Sequence, residues 1–212
     1  MTFKVLTLNI NFKELISERI KKIIVLIQEH NPDVIFLQEV PSLMINNFRI
    51  PNYYQIGFLF KHNYDIIILS RYPCIRYDRI PLPETQMCRN LLLARIRLPS
   101  AQDIFVGTFH LDSYFSPPQS ETLKMDQLLF IRSIIPRESH FIIAGDTNLL
   151  DNEKTNIDDM NELDSLPTFN KNRFDRIFIG CGLVAIYPAQ LIGDATHSDH
   201  LGLVLSINPI VQ

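Results

Sequence analysis

Tryptophan is absent from the 212 residues, and cysteine is scarce, with three thiols at Cys74, Cys88 and Cys181. Widely spaced, odd in number and without a CxxC pattern, they exclude both a disulfide framework and a thiolate zinc site, and they fit a reducing compartment. Glycine is rare as well, 7 residues against 13 prolines, so no flexible linker divides the chain, and neither a repeat nor a low-complexity tract is visible. No stretch approaches the roughly 18 apolar residues of a membrane span, and the amino terminus lacks the apolar run of a signal peptide. The expectation is an intracellular protein of nucleus or cytoplasm, neither secreted nor membrane-bound. Excess positive charge is missing too. With a formal charge of -3 and a pI of about 6.1, the whole-molecule field does not draw in a polyanion, so any nucleic acid must be held by a local patch.

What the chain does have is apolar residues, 46% of the total, enough for one core without a partner. We therefore expect a monomer with a single catalytic domain over residues 1–212. Residues Phe3 to Leu8 read as a short strand. A helix follows in which Ile16, Ile20, Ile23, Ile24 and Ile27 share a face, and Asn31-Pro32 stops it. Strands are predicted at Asp33 to Leu37, Tyr53 to Phe60, Ile66 to Ser70, Leu91 to Leu98 and Ile104 to Thr108. Ser116-Pro117 opens a second helix with a stripe of Met125, Leu128, Ile131 and Ile135, ended by Pro136. Phe141 to Ala144, Phe174 to Ile179, Leu183 to Tyr187 and Leu201 to Ile207 complete the strands. About ten strands with two helices cannot form a doubly wound sheet, which needs a helix for nearly every strand. The fold class predicted is α/β: two packed mixed β-sheets flanked by helices, a four-layer α/β/β/α sandwich.

Apolar strands run out repeatedly into polar residues. VLTLN ends at Asn9, VIFLQE at Glu39, IFVGTFH at His110, and FIIAGDTN at Asp146 and Asn148. Ligand sites at the carboxyl ends of sheet strands require such endings. Gly145-Asp146-Thr147-Asn148 permits a tight exit from a strand with two polar side chains able to converge, although an Asx-type turn has the same composition. His197-Ser198-Asp199-His200 adds a carboxylate and imidazoles before the last strand; it reads as a polar loop, a site, or, less well without further ligands, a zinc centre. Asp175, inside an apolar strand, needs a partner for its charge, either His200 or an arginine. The densest basic and aromatic stretch comprises Arg71, Tyr72, Arg76, Tyr77, Arg79, Arg89, Arg95 and Arg97, which can hold phosphates and stack bases or form an ordinary solvated strand face.

In order, these pieces resemble the motifs of the endonuclease/exonuclease/phosphatase superfamily of metal-dependent phosphodiesterases: a first-strand Asn, Gln-Glu, His-Leu, Gly-Asp-x-Asn, an internal Asp and a terminal Ser-Asp-His. Within it, Leu37-Gln38-Glu39-Val40, Arg89-Asn90-Leu91-Leu92, His110-Leu111-Asp112-Ser113, Asp146-Thr147-Asn148-Leu149 and Arg173-Phe174-Asp175-Arg176-Ile177-Phe178 look most like the tyrosyl-DNA phosphodiesterase branch. That branch removes tyrosine from a 5′ DNA phosphate. Departures are Asn11, where the family usually has Asp, the missing tryptophans of the substrate wall, and a short segment between Asp151 and Arg173.

The resemblance implies Mg2+ as cofactor, with Mn2+ as a substitute, and DNA ends carrying a 5′ tyrosyl or peptide adduct, single-stranded near the end, as partner. Glu39 is expected as principal metal ligand with Asp199, and Asn9 beside them. Asp146 is expected to activate water, Asn148 to bond a phosphoryl oxygen, and His200, held by Asp175, to stabilise charge with His110 as second donor. Arg89, Asn90, Ser113 and Asn11 are expected to bind substrate. Alternatives are a general DNA endonuclease or exonuclease, a lipid or inositol phosphate hydrolase, and an inactive DNA-binding module.

Overall fold

The computed structural model describes residues 2–14, 17–57, 63–113, 119–151, 155, 157–180 and 182–209. Among these, thirteen strands and two α-helices are present. In chain order they are β1 (Phe3–Asn9), α1 (Ser17–His30), β2 (Val34–Pro41), β3 (Tyr54–Ile56), β4 (Tyr64–Ser70), β5 (Cys74–Pro81), β6 (Asn90–Arg97) and β7 (Asp103–His110). There follow α2 (Gln119–Ile134), β8 (Phe141–Asp146), β9 (Asn161–Glu162), β10 (Asp175–Ile179), β11 (Leu183–Ala185), β12 (Gln190–Ile192) and β13 (Gly202–Pro209). One sheet runs β11-β13-β1-β2-β4-β3, with β12 also on β13, and the other runs β5-β6-β7-β8-β10-β9.

Side-chain alternation sorts the apolar residues into three layers of contact. On β1 and β2, Val5, Val34 and Phe36 point between the sheets, where they meet Leu92, Val106, Ile142 and Ile177 from the second sheet. Their neighbours Leu6, Leu8, Ile35 and Leu37 point outward onto Ile20, Ile23 and Ile27 of α1. The second sheet does the same with α2, where Leu128 and Ile131 cover Leu93, Phe109, Ile143 and Phe178. The order helix, sheet, sheet, helix is the predicted sandwich. Strands covered on both faces must be apolar on both, which is why they read as continuous runs rather than alternating ones.

Helix α1 ends as its sequence demands: Asn31 takes the left-handed conformation (φ 50°), its N–H returns to the Ile27 carbonyl at 2.9 Å, and Pro32 prevents continuation. The Ser116-Pro117 start, Ile16 and the stretch 58–60 of the expected third strand lie outside the described residues. The strand β5 was not predicted; its residues are mostly exposed at a sheet edge, so no buried face marks it.

Two parallel pairs, β1/β2 and β7/β8, sit at the centre of the two sheets. Their pairing sets the height of the site. At Gly145 an added Cβ would lie 2.0 Å from the Phe109 carbonyl oxygen, so only glycine lets β8 run this close to β7. Below the site the sheets are joined by a buried amide: Gln38 Nε2 donates to the Thr108 hydroxyl at 2.9 Å and to the Thr7 hydroxyl at 3.2 Å.

Candidate active site

Strand register brings the polar endings together. The β7/β8 pairing puts His110 beside Asp146, and the antiparallel β8/β10 pairing puts Asp175 on the other side of Asp146. Across the gap between sheets, Asn9 Nδ2 donates to Asp146 Oδ2 at 3.0 Å. Asp146 is the hub. Its Oδ2 also lies 3.4 Å from His110 Nε2 and 3.9 Å from His200 Nε2, while Oδ1 accepts the Asn148 N–H at 2.9 Å. Burial is the main reason its pKa rises from 3.8 to about 6; the His200 charge opposes the rise and the Asp175 charge adds to it.

The two imidazoles beside it have opposite character. Burial disfavours the charged form of His200, yet the Asp175 carboxylate, bonded to Nδ1 at 2.8 Å, together with Asp146 and Asp199, lifts its pKa to about 10. His200 is therefore an imidazolium at neutral pH. His110 is driven well below the ordinary value by burial, then by the Arg89 and His200 charges. Its tautomer follows from one contact. Arg89 Nη1 stands 3.0 Å from His110 Nδ1, and because a guanidinium only donates, Nδ1 is the acceptor and the proton sits on Nε2, facing Asp146.

Four residues around this centre have left-handed backbone: Asn11 (φ 51°), Glu39 (φ 57°), Cys88 (φ 56°) and Asn148 (φ 51°). Such strain gathers where side chains must be aimed rather than packed. At Glu39 it coincides with a bulge in β2, where pairing with β4 skips between Leu37 and Val40. The bulge leaves Glu39 out of the β2/β4 register, and one of its carboxylate oxygens accepts the Phe12 N–H at 3.2 Å. Glu39 lines a cavity of about 380 Å³ with Tyr64, Met87, Arg89, Asn90 and His110. Arg89 is buried in its wall over the Tyr64 ring (5.6 Å to the centroid), and its Nε has no hydrogen-bond partner among the described residues. Tyr64 in turn stacks on Phe12, with ring centroids 4.0 Å apart.

The remaining expected residues fall as follows. Asn148 is held by its carbonyl, which accepts Lys124 Nζ at 2.7 Å, and by Nδ2, which donates to the Leu111 carbonyl at 3.1 Å and keeps a second N–H. Asp199 is exposed beside His200, and the Ser198 hydroxyl donates to the Asn9 carbonyl at 2.6 Å, tying that loop to β1. Asn11 turns its side chain to a local role, with Oδ1 accepting the Lys13 N–H at 3.2 Å. Ser113 bonds the Met87 sulfur through its hydroxyl at 3.2 Å, and Asn90 Nδ2 donates to the Cys88 carbonyl at 2.8 Å. His197 pairs with Asp194 at 2.9 Å instead of meeting His200 at a shared ligand.

The basic stretch of β5 and β6 is largely paired. Arg76 meets Asp78, Arg79 meets Asp65, and Arg95 and Arg97 both meet Asp103. Arg71 lies over Tyr53. Arg89 is the guanidinium of the group that lines the cavity. Residues the sequence reading missed are Phe12, Tyr64 and Met87, and the pair Phe169 and Phe174. Phe169 lies against the His200 ring at 4.6 Å and against Phe174 at 5.4 Å, an aromatic wall built without tryptophan.

One clustered group of donors and two separate carboxylates are candidates to hold a cation. Asp146, Asp175 and His200 each offer an atom within 4.8 Å of the others, but all three are buried, and Asp175 Oδ2 and His200 Nδ1 are bonded to each other. Glu39 and Asp199 offer carboxylates that are not fully buried. Oxygen donors of this kind, with room for water, fit a hard divalent ion.

The profile of the Endonuclease/Exonuclease/phosphatase family matches residues 6–200. The chain belongs to this family. Among sequences similar to this family member is tyrosyl-DNA phosphodiesterase 2 of Danio rerio, 28% identical over a match covering 84% of this chain and 59% of the relative. The Homo sapiens protein of the same name is 32% identical, covering 72% of this chain and 44% of the relative. The chain thus spans about half the length of the relatives it matches. A crystal structure of D. rerio TDP2 humanized by 14 mutations superposes with a TM-score of 0.85 at 25% identity, covering 98% of this chain and 99% of that one. D. rerio TDP2 complexed with a single-strand DNA product gives 0.84 at 23%, over 98% and 99% of the two chains, a likeness of fold.

Proposed function

We propose that this chain is a Mg2+-dependent phosphodiesterase, accepting Mn2+ as a substitute, that removes tyrosine or peptide from the 5′ phosphate of a DNA end. It works as a monomer with one catalytic domain. The observation that carries the reading is the arrangement at Asp146: a buried carboxylate of pKa about 6 set between a neutral imidazole, 3.4 Å away, and a charged one.

Hydrolysis of a phosphodiester needs a base for the attacking water, donors for charge on the nonbridging oxygens, and a site for the leaving group. Asp146, ionised above pH 6 yet desolvated, suits the first role. The His200 imidazolium, fixed by Asp175, and the spare N–H of Asn148 suit the second, with His110 Nε2–H beside them. Glu39, together with Asp199 and Asn9, would hold the cation, and a bound Mg2+ would supply Lewis-acid polarisation of a phosphoryl oxygen.

The leaving group selects the substrate. A tyrosyl phenolate, with a parent pKa of about 10, departs with less acid help than a sugar alkoxide. The cavity favours such a group, because it is walled by Tyr64 and the Arg89 guanidinium, whose charge is compensated by no carboxylate among the described contacts. The relatives' name and the single-strand DNA product bound to D. rerio TDP2 support DNA as the other half of the substrate.

The test is a parallel assay with a 5′-phosphotyrosyl oligonucleotide, an abasic duplex and a phospholipid, each with Mg2+, with Mn2+ and after chelation. Metal-dependent release of tyrosine is expected. Cleavage of the phospholipid alone rejects the DNA assignment, and turnover unaffected by chelation rejects the cation.

A further inference from the structure

Asp112 lies two residues beyond His110 and takes no part in the chemistry above, yet its carboxylate is 1% exposed. A carboxylate is expensive to bury unless donors satisfy it. The donors found among the described residues are all neutral N–H groups. Oδ1 accepts the backbone N–H of Gln86 at 3.2 Å and of Met87 at 2.9 Å, and Oδ2 accepts Gln127 Nε2 at 2.6 Å. Gln127, fully buried on α2, closes the arrangement: its Oε1 accepts the Asp112 N–H at 3.3 Å and its Nε2 also donates to the Pro83 carbonyl at 3.2 Å.

The segment gripped in this way, residues 83–89, connects β5 to β6 and ends in Met87, Cys88 and Arg89, all lining the cavity. It has contacts of its own, the Arg89 N–H on the Thr85 hydroxyl at 2.8 Å and the Leu82 N–H on the Arg89 carbonyl at 3.0 Å, but these tie the loop to itself and not to the body of the protein. Cys88 has a left-handed backbone at φ 56°, a conformation that persists only when surroundings impose it. Met87, whose backbone N–H is held by Asp112, accepts Arg89 Nη2 at 3.7 Å and the Ser113 hydroxyl at 3.2 Å on its sulfur. A chain of contacts therefore runs from the buried carboxylate to the guanidinium.

We infer that Asp112, paired with Gln127, is a positioning residue that fastens the 83–89 loop so that Arg89 stands between His110 and Tyr64 on the leaving-group side of the cavity. The leaving-group part rests on the proposed phosphodiesterase function; the anchoring part does not. Asp112→Asn retains the size of the side chain but sets an NH2 against either Gln127 Nε2 or the Gln86 and Met87 amides. Both are donors, so the grip is lost either way.

Two measurements test this. Hydrogen exchange followed by mass spectrometry should show peptide 83–90 exchanging about tenfold faster in Asp112→Asn, the loss of one charge-assisted bond, with β7 and β8 unchanged. Hydrolysis of the phenyl and p-nitrophenyl esters of thymidine 5′-phosphate should fall about tenfold more for phenyl, whose leaving group is the stronger base and leans harder on Arg89. Combining Asp112→Asn with Arg89→Ala should add little to the loss from Arg89→Ala alone. Unchanged exchange at 83–90 overturns the anchor. Equal losses on the two esters, or additive losses in the double variant, overturn the leaving-group role. A wild type that cleaves neither ester refutes the functional reading and the leaving-group role with it, while exchange still decides the anchor. If the Asp112→Asn chain does not fold, Asp112→Glu, which moves the charge by one methylene, gives the same comparison.

Discussion

Replacing Asp175 with asparagine tests the electrostatics of the site most directly. The side chain keeps its shape, and its remaining oxygen still accepts a hydrogen bond from His200 Nδ1–H, but the charge is gone. Burial opposes the imidazolium and Asp175 is the largest influence in its favour. Its rise from 6.5 to about 10 corresponds to on the order of 5 kcal/mol favouring the charged form. With the carboxylate removed, burial dominates and the histidine becomes neutral at pH 7.5. Donors aimed at developing charge are worth roughly a hundredfold to a thousandfold in rate, and a loss of that size is expected in kcat with KM little changed. The linkage has a definite sign. A histidine whose folded pKa is raised contributes stability that is complete below its unfolded value of about 6.5 and fades as pH climbs through about 10. Wild-type thermal stability should therefore sag between those limits, and the variant should lack that sag. The assay is an NMR titration of the His200 ring beside a pH–rate profile. A His200 signal that stays protonated at pH 7.5 in Asp175→Asn would falsify the account, as would full activity of a variant whose ring has become neutral.

Asp146→Asn should cost at least about a thousandfold in turnover, the upper part of the range for removing a positioned base. The same change should raise thermal stability at pH 7.5, because a buried carboxylate whose pKa is lifted to about 6 contributes stability only when protonated and loses it as pH rises from about 4 through 6; a lower melting temperature at that pH would contradict this. Gln38→Leu removes the amide bridging the sheets and leaves the Thr7 and Thr108 hydroxyls without it, for a loss of about 1–3 kcal/mol in urea unfolding. No change would mean that the bridge is dispensable.

The strand endings at Asn9, Glu39, His110 and Asp146 were legible because buried strands tolerate polar residues only where something outside the sheet needs them. The pairing of Asp175 with His200 was legible for a related reason, since an acid inside an apolar strand must find a partner. What the chain concealed depends on register and on backbone geometry. Nothing local marks Tyr64 or Phe12 as walls of a cavity, because the bulge at Glu39 and the turn after Asn11 are what bring them together. The arginines of β5 and β6 suggested a polymer-binding patch, yet Asp65, Asp78 and Asp103 pair with most of them. Two of those partners stand close in sequence, and alternation along an exposed edge strand would have revealed Arg76 beside Asp78. The missing tryptophans left the wall against His200 without a candidate, and the segment before Arg173 supplies Phe169 instead.

The position of β13 bears on how the molecule is made. This strand lies within its sheet, between β1 on one side and β11 and β12 on the other. While the nascent chain emerges from the ribosome, β1 has β2 beside it, but its opposite edge stays open until residue 202 and those after it arrive. An unpaired edge of that kind is a template for neighbouring chains. Because the loop bearing His200 arrives immediately before the closing strand, the imidazole that completes the cluster at Asp146 and the partner that covers this edge are delivered by one stretch of synthesis.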